Sequence, residues 1–369
     1  MTTHVVCLDG TNQTKNQPCP TNIARLFDAL GGNASDAGNG SFETSVGNPV
    51  GITGKYLPGV GALGDAPLRA LGNLFGDGIA EPIIRGYTFL SRSWQPGDSI
   101  VITGFSRGAA AARALAGFVT GQGLLERSRY DSSNKDLAYR RAIAAWYKYR
   151  SGRPDLAHQA RVMLIAKLTG QIPKLGNGDF TPAPDIACVG VFDTVSSLGL
   201  PHLDWNGETK FDFAICDTSL SPKVQNGFHA LAADEVREIF APTFWAERAG
   251  IVQEIFPGGH SDVGGGYSLH GLSDCALDWM IGHLNKVRSV FDTKRLGPGF
   301  KPNAVAAAHD DSRIFPFTGM NKRARAFPRI AAPSDPLKKR LHQAVETLPG
   351  TNKPPYAPAG RYADGSSLL

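Results

Sequence analysis

Short apolar runs alternate along the chain with longer segments of helical periodicity. Each apolar run is rich in β-branched residues or nearly continuous, and each stops at Asp, Gly or Pro, as buried strands of a parallel sheet do. The predicted strands are 4–8, 100–103, 185–192 and 251–256, and the predicted helices are 21–30, 79–94 and 272–287. Alternating strands and helices favour an α/β fold with a mostly parallel central sheet flanked by helices.

The remaining segments are harder to assign. Residues 33–76 are glycine-rich and are expected to hold one short strand near 55–61, followed by a long surface loop. Residues 124–182 are expected to form an inserted helical cap, with amphipathic helices at 138–149 and 156–168. Further on, the pattern suggests a strand at 211–220, a helix at 226–240 and one late helix at 338–348. We therefore predict one catalytic domain over 1–290 and an irregular C-terminal extension over 291–369.

Charge and composition exclude some classes of function. The chain of 369 residues carries a net charge of +5, and its basic residues are spread rather than massed, so a nucleic-acid partner is not expected. The densest basic group is expected to be a solvated tail; it consists of Lys322, Arg323, Arg325, Lys338, Lys339 and Arg340. No apolar run approaches the roughly 18 residues of a membrane helix.

Five scattered cysteines with no C-x-x-C pair argue against a disulfide framework or a zinc ribbon. The opening MTTHVVCLDG has no basic n-region, so no signal peptide is expected. These features predict a protein that is cytoplasmic in the producing cell. Any export of this protein would have to proceed without a signal peptide.

The segment SIVITGFSRGAAAARALAGFV carries the main candidate chemistry. A β-branched strand stops at Gly104, and an alanine-rich helix begins after Ser106, with Gly108 on the other side of the turn. G-x-S-x-G between a strand and a helix is the pattern of a nucleophile elbow, in which the serine stands at the tip of a strained turn. Ser106 is the candidate nucleophile, and in this setting its alternative role as an ordinary turn residue is less favoured.

A serine nucleophile needs a base, and the base needs an acid that orients it. Asp193 follows a strongly apolar strand, and His260 follows the next convincing strand in a glycine-rich loop, in the chain order serine, acid, histidine. Asp262 is a rival acid, and His202 and His229 are rival bases in weaker contexts. Asp193 has a structural alternative as a turn former, and His260 has one as a structural hydrogen-bonding residue.

Asp9, Gly10 and Thr11 stand at the end of the first strand and have two interpretations. The favoured one is oxyanion support beside the elbow, with the backbone N–H of Arg107 as a second donor. The other is a metal or phosphate site in which Asp9, Asp193 and Asp262 form a carboxylate cluster, as in a metal-dependent phosphoesterase. No cofactor or metal is required by the favoured interpretation.

A series of motifs resembles the DUF2235 family of α/β-hydrolase domains, which includes the Tle1-type phospholipase effectors of type VI secretion. The matching strings span residues 4–282 and read CLDGT, PTNIARL, KYLPGVG, GFSRGAAAARALAG, VGVFDTVSSLGLP, HALAADEVREIFAPTFW, FPGGHSDVGGGY and GLSDCALDWM. The resemblance implies an α/β-hydrolase fold in which Ser106, Asp193 and His260 match the positions of the family's catalytic triad.

The same resemblance implies an esterase that acts on lipid or phospholipid esters. It also implies peripheral contact with membranes and a partner in the secretion machinery or an immunity protein. The alternative from another class is a non-catalytic binding or toxin-associated module that has kept the hydrolase scaffold.

Overall fold

The computed structural model describes residues 1–47, 51–61, 79–150, 172–195, 218–310, 322–339 and 357–368. The strands are β1 Thr2–Leu8, β2 Ser35–Gly38, β3 Ser41–Val46, β4 Gly51–Leu57, β5 Ser99–Phe105, β6 Ile186–Phe192, β7 Val224–Ala232, β8 Ile251–Phe256, β9 Ala326–Phe327, β10 Ala331–Pro333 and β11 Arg361–Tyr362. Among the described residues, the α-helices with both ends defined are α1 Asn22–Ala29, α2 Ala80–Ser93, α3 Arg107–Gln122, α4 Lys135–Arg150, α5 His260–Gly264 and α6 Gly271–Val287.

Nine strands form one central sheet in the order β10-β8-β7-β6-β5-β1-β4-β3-β2. All neighbouring pairs from β10 to β4 are parallel, and only the β4–β3 and β3–β2 pairs are antiparallel. β9 and β11 form a separate two-stranded sheet. The expected mostly parallel sheet flanked by helices is confirmed, and the fold is α/β.

Apolar side chains fill both faces of the sheet. Alternate residues of the central strands, such as Ile102 and Val101, point to opposite faces, and every residue of β5 and β6 is buried. α2, α3 and α4 cover one face, and α1 and α6 cover the other. The helices therefore cover both faces of the central strands. A ligand can reach the sheet only at the ends of these strands.

The register brings the carboxyl ends of the central strands to one edge. Leu8 of β1 lies beside Gly104 of β5, Phe105 lies beside Phe192 of β6, and Phe192 lies beside Ala230 of β7. Residues that directly follow these strands therefore meet at the same edge, which is where ligands bind in open α/β sheets.

Two sequence-based assignments are wrong. The helix expected at 226–240 is replaced by β7, because its apolar residues are buried on both faces in the middle of a parallel sheet, where helical and strand patterns look alike. Residues 33–57 hold the β2–β3 hairpin and β4 instead of a loop with one short strand. These polar edge strands lack the strong alternation that would have identified them.

Other assignments are confirmed only in part. α4 contains the expected helix 138–149 and packs on α2 and α3, whereas the second expected helix, 156–168, lies outside the described residues. The strand expected at 211–220 and most of the helix at 338–348 also lie largely outside them. The cap and the boundary at residue 290 stay predictions, although the segment after 291 is not uniformly irregular, since β10 joins the central sheet.

Cys7, Cys19, Cys188 and Cys275, the described cysteines, are free thiols. None of the described helices combines the length and the apolar character that a membrane span requires.

The glycine at the start of α3 generates a stability prediction. A Cβ on Gly108 would lie 2.3 Å from the carbonyl oxygens of Leu8 and Asp9, so Gly108→Ala would force the elbow helix away from β1. We expect this substitution to lower the free energy of unfolding by about 3 kcal/mol or more, measured by urea denaturation. Gly282→Ala is the matched control, because no atom lies within 4 Å of its added Cβ in the exposed middle of α6.

The control substitution should raise the unfolding free energy by about 0.5–1 kcal/mol, the ordinary benefit of alanine over glycine inside a helix. Equal stability of the two variants would contradict the close approach at Gly108.

Candidate active site

Ser106 occupies the sharp turn between β5 and α3. Its backbone has φ 58° and ψ −124°, and residues with a Cβ rarely adopt a positive φ. Its N–H donates to the carbonyl of Phe192 at 3.1 Å, which ties the turn to the end of β6. The serine is held in a strained turn at the carboxyl edge of the sheet, as the G-x-S-x-G pattern predicted.

Asp193 follows β6 and is completely buried. It also has a positive φ, 38°, and its N–H donates to the carbonyl of Ala230 at 2.7 Å. Carboxylate atom Oδ1 accepts from the N–H of Ala232 at 3.0 Å, and Oδ2 lies 2.5 Å from Nδ1 of His260. The structure therefore brings together the predicted acid and the predicted base.

His260 begins the short helix α5, rather than lying in an open glycine-rich loop as expected. Its ring stands between two aromatic rings, with centroids 4.7 Å from that of Phe105 and 4.9 Å from that of Phe240. Phe105 directly precedes Ser106, so the imidazole lies beside the elbow. Among the described residues Nε2 has no hydrogen-bond partner, although the atom is buried. This nitrogen is available to receive a proton.

A buried ion pair supports the backbone of His260. Its N–H donates to Oε2 of Glu235 at 3.2 Å, and Arg237 donates to both carboxylate oxygens of Glu235 at 2.8 and 2.6 Å. The Arg237 guanidinium also lies 4.0 Å from the centre of the Phe240 ring. The charge of Glu235 is thus satisfied within the connection between β7 and β8, and its carboxylate fixes the start of α5.

Arg325 is the residue that the sequence analysis missed. It was expected in a solvated tail but is buried, and it donates to Oδ1 of Asp193 at 2.6 Å and to Oδ2 at 2.9 Å. Burial by itself raises the pKa of Asp193, but the Arg325 charge and the His260 hydrogen bond outweigh it and hold that pKa below its usual range. Nothing in the local pattern of a basic, proline-rich segment could have identified this contact.

The first strand ends against the elbow. A Cβ on Gly10 would come within 3.4 Å of Cβ of Ser106, which places the backbone of Gly10 next to the candidate nucleophile. The N–H of Gly10 donates to Oδ1 of Asp9 at 2.7 Å, so it is already used. The Arg107 side chain donates from Nε to the hydroxyl of Thr11. The backbone amides of Thr11 and Arg107 remain the candidate oxyanion donors.

Asp9 serves the structure of this turn. Its buried carboxylate accepts from Tyr56 at 2.6 Å, from Thr21 at 2.8 and 2.9 Å, and from Gly10. Burial raises the pKa of Asp9 to about 6, and the hydrogen bonds from Tyr56, Thr21 and Gly10 offset only part of that effect. Asp9 is therefore a positioning residue for the turn that carries Gly10 and Thr11.

The rival residues have other partners. Asp262 binds Nδ1 of His309 at 2.7 Å and the N–H groups of Gly259 and His309 at 3.0 and 2.9 Å, so it joins the start of α5 to the segment that contains His309. His229 lies in β7, where Nε2 accepts from the N–H of Thr194 and where burial and the charge of Arg113 lower its pKa to about 3. His202 lies outside the described residues.

The carboxylate cluster considered for a metal does not form. Asp9 binds Thr21 and Tyr56, Asp193 binds His260 and Arg325, and Asp262 binds His309. In the described ranges, no group of three or more His, Cys, Asp and Glu side chains is arranged to hold a metal ion.

The raised pKa of Asp9 makes stability depend on pH. The folded state binds this proton more tightly than the unfolded chain, so the stabilisation is complete below about pH 4 and is lost as pH rises through about 6. Relative to Asp9→Asn, the wild type should lose about 3 kcal/mol of unfolding free energy between pH 4 and pH 7. Urea denaturation at several pH values measures the difference.

Asp278→Asn, at an exposed position of α6, is the control and should track the wild type across this range. If the difference between wild type and Asp9→Asn stays constant with pH, the carboxyl of Asp9 does not titrate as described.

Several known proteins are similar to this chain. Residues 2–283 match the family described as "T6SS, Phospholipase effector Tle1-like, catalytic domain". An uncharacterized protein of Saccharomyces cerevisiae, YEL023C, is 29% identical over 209 residues, which are 53% of this chain and 27% of that protein.

Two solved structures are similar at lower identity. A crystal structure of an uncharacterized protein from Pseudomonas aeruginosa shares 19% identity with a TM-score of 0.40, covering 81% of this chain and 48% of that one. The Tle1 effector bound to the VgrG spike of the Type 6 secretion system shares 20% identity with a TM-score of 0.37, covering 73% and 51%. This chain spans about half the length of these two structures and about a quarter of the yeast protein.

The family match covers most of the chain and includes every candidate catalytic residue, so the chain belongs to the Tle1-like family of type VI secretion phospholipase effectors, through its catalytic domain.

Proposed function

We propose that this protein is a serine hydrolase that cleaves carboxylic ester bonds of phospholipids through an acyl-enzyme on Ser106. The observation that carries the proposal is the 2.5 Å contact between Asp193 and Nδ1 of His260, with Nε2 left for a proton from the serine in the neighbouring strained turn. Ser106, His260 and Asp193 then act as nucleophile, general base and orienting acid.

In the first half of the reaction, Nε2 of His260 takes the hydroxyl proton as Oγ of Ser106 attacks the ester carbonyl. The carbonyl oxygen becomes an oxyanion that the backbone N–H groups of Thr11 and Arg107 stabilise. Asp193 stays ionised and holds the imidazolium. His260 then gives its proton to the departing alcohol oxygen, which leaves the acyl group on Ser106.

In the second half, His260 takes a proton from water as the water oxygen attacks the acyl-enzyme. A second oxyanion collapses, the bond from the acyl carbon to Oγ breaks, and His260 returns the proton to Ser106. The products are a free fatty acid and the lipid alcohol. No metal or cofactor takes part in this sequence.

Membership of the phospholipase effector family supports phospholipids as the substrate class. It also supports a role as an effector that is made in the cytoplasm of the producing cell and exported by the type VI machinery. A component of the secretion spike is the proposed partner before delivery, by analogy with the Tle1 effector bound to VgrG. Contact with a target membrane and with an immunity protein is part of the same proposal.

The central test is Ser106→Ala. We expect fatty-acid release from vesicles of phosphatidylethanolamine and phosphatidylglycerol to fall by about 10⁴-fold or more, because the nucleophile is gone while the fold is kept. Mass spectrometry of the lipid products gives the rate and identifies the bond cleaved. A fluorophosphonate probe should label the wild type and not the variant.

Ser261→Ala, next to His260 in α5, is the control and should keep both labelling and hydrolysis. Full activity of Ser106→Ala would contradict the proposal. If a chelator abolished that remaining activity, the protein would instead be a metal-dependent phosphoesterase. A folded wild type that neither reacts with the probe nor hydrolyses lipid would favour a binding module.

A further inference from the structure

The C-terminal extension reaches the catalytic carboxylate. Arg325 lies 42 positions beyond the last residue that matches the family's catalytic domain, yet its guanidinium is buried against Asp193. We propose that Arg325 is a positioning residue of the triad: it clamps Asp193 in the orientation that aligns His260. This inference rests on the proposed hydrolase function.

The contact is a two-pronged one. Nη1 donates to Oδ1 of Asp193 at 2.6 Å and Nη2 donates to Oδ2 at 2.9 Å, while Nη1 also reaches the carbonyl of Ala232 at 2.9 Å and Nη2 that of Phe240 at 2.6 Å. Two parallel N–H···O bonds fix the plane of a carboxylate, and a single donor does not. The rotation of Asp193 is therefore fixed by Arg325, and the Nδ1 contact of His260 uses an oxygen held in that plane.

The same guanidinium also binds a residue whose side chain packs against the imidazole. The carbonyl that Nη2 binds belongs to Phe240, whose ring stands against the His260 ring. Arg325 thus links the acid that orients His260 to an aromatic ring that confines it. Loss of the guanidinium would loosen both contacts at once.

The extension holds Arg325 firmly in place. Arg325 directly precedes β9, and its carbonyl accepts from the N–H of Arg361 at 2.9 Å. Phe327 of β9 is fully buried in an apolar cluster with Leu231, Ile255 and Leu337. The cluster joins the extension to β7 and β8, so the guanidinium enters the site from a packed segment.

Three variants test the inference: Arg325→Met, Arg325→Lys and, as the matched control, Arg329→Met. Arg329 lies in the same extension in an exposed ion pair with Asp364, so its loss removes one arginine without touching the site. For the wild type and all three variants, kcat and KM are measured on phospholipid vesicles and on a short p-nitrophenyl ester, with circular dichroism as the check on folding.

Arg325→Met should lower kcat about 100-fold, the order expected for misplacing a catalytic group by about 1 Å, with little change in KM. Arg325→Lys keeps the positive charge but not the two parallel donors of the guanidinium, so it should restore part of the activity and leave kcat about 10-fold below the wild type, with KM unchanged. Arg329→Met should match the wild type.

The inference is overturned if folded Arg325→Met keeps the wild-type kcat, or if its loss of activity lies in KM and not in kcat. If Arg325→Met does not fold, Arg325→Lys decides: wild-type kcat overturns the clamp, and a lower kcat with unchanged KM supports it. Ser106→Ala separates the two hypotheses. If it retains activity, the hydrolase proposal has failed, and if it is inactive while the Arg325 variants behave as wild type, only the role of Arg325 has failed.

Discussion

The buried carboxylate of Asp193 is the group on which the arrangement of the candidate site depends. An ionised carboxylate in a dry core is costly unless every oxygen is paired, and here the main-chain N–H of Ala232, the imidazole of His260 and the guanidinium of Arg325 all converge on it. Three distant parts of the chain are thereby fixed relative to β6. The position of the His260 ring follows from the way in which the charge of the Asp193 carboxylate is paired.

The parallel sheet makes this convergence possible. Because β1, β5, β6 and β7 run in the same direction and lie side by side, the residues that follow them meet at one edge. Close approach of the backbones is then limited by side chains, and glycine at 10 and 108 removes that limit between the first strand and the elbow. The site therefore depends on the parallel order of the strands and on backbone contacts that a Cβ at position 10 or 108 would block.

Much of this arrangement could be predicted from sequence. The apolar runs identified β1, β5, β6 and β8, and the strand-ending positions of Asp193 and His260 predicted that the two side chains would meet. β7 was mistaken for a helix because a strand buried on both faces loses its alternation. Arg325 could not be found, since a buried arginine and a solvated one look the same until the carboxylate that pairs with it is known.

Two residues at the centre of the site hold backbone conformations that their side chains disfavour. Ser106 and Asp193 both have positive φ, and such positions cost roughly 1–3 kcal/mol each, which the packing of the central sheet must supply. A glycine at position 106 would relieve the strain while removing the hydroxyl. Selection for thermal stability alone would therefore favour replacement of these strained residues. Variants chosen only for high stability would be expected to lose the side chains that the candidate site needs.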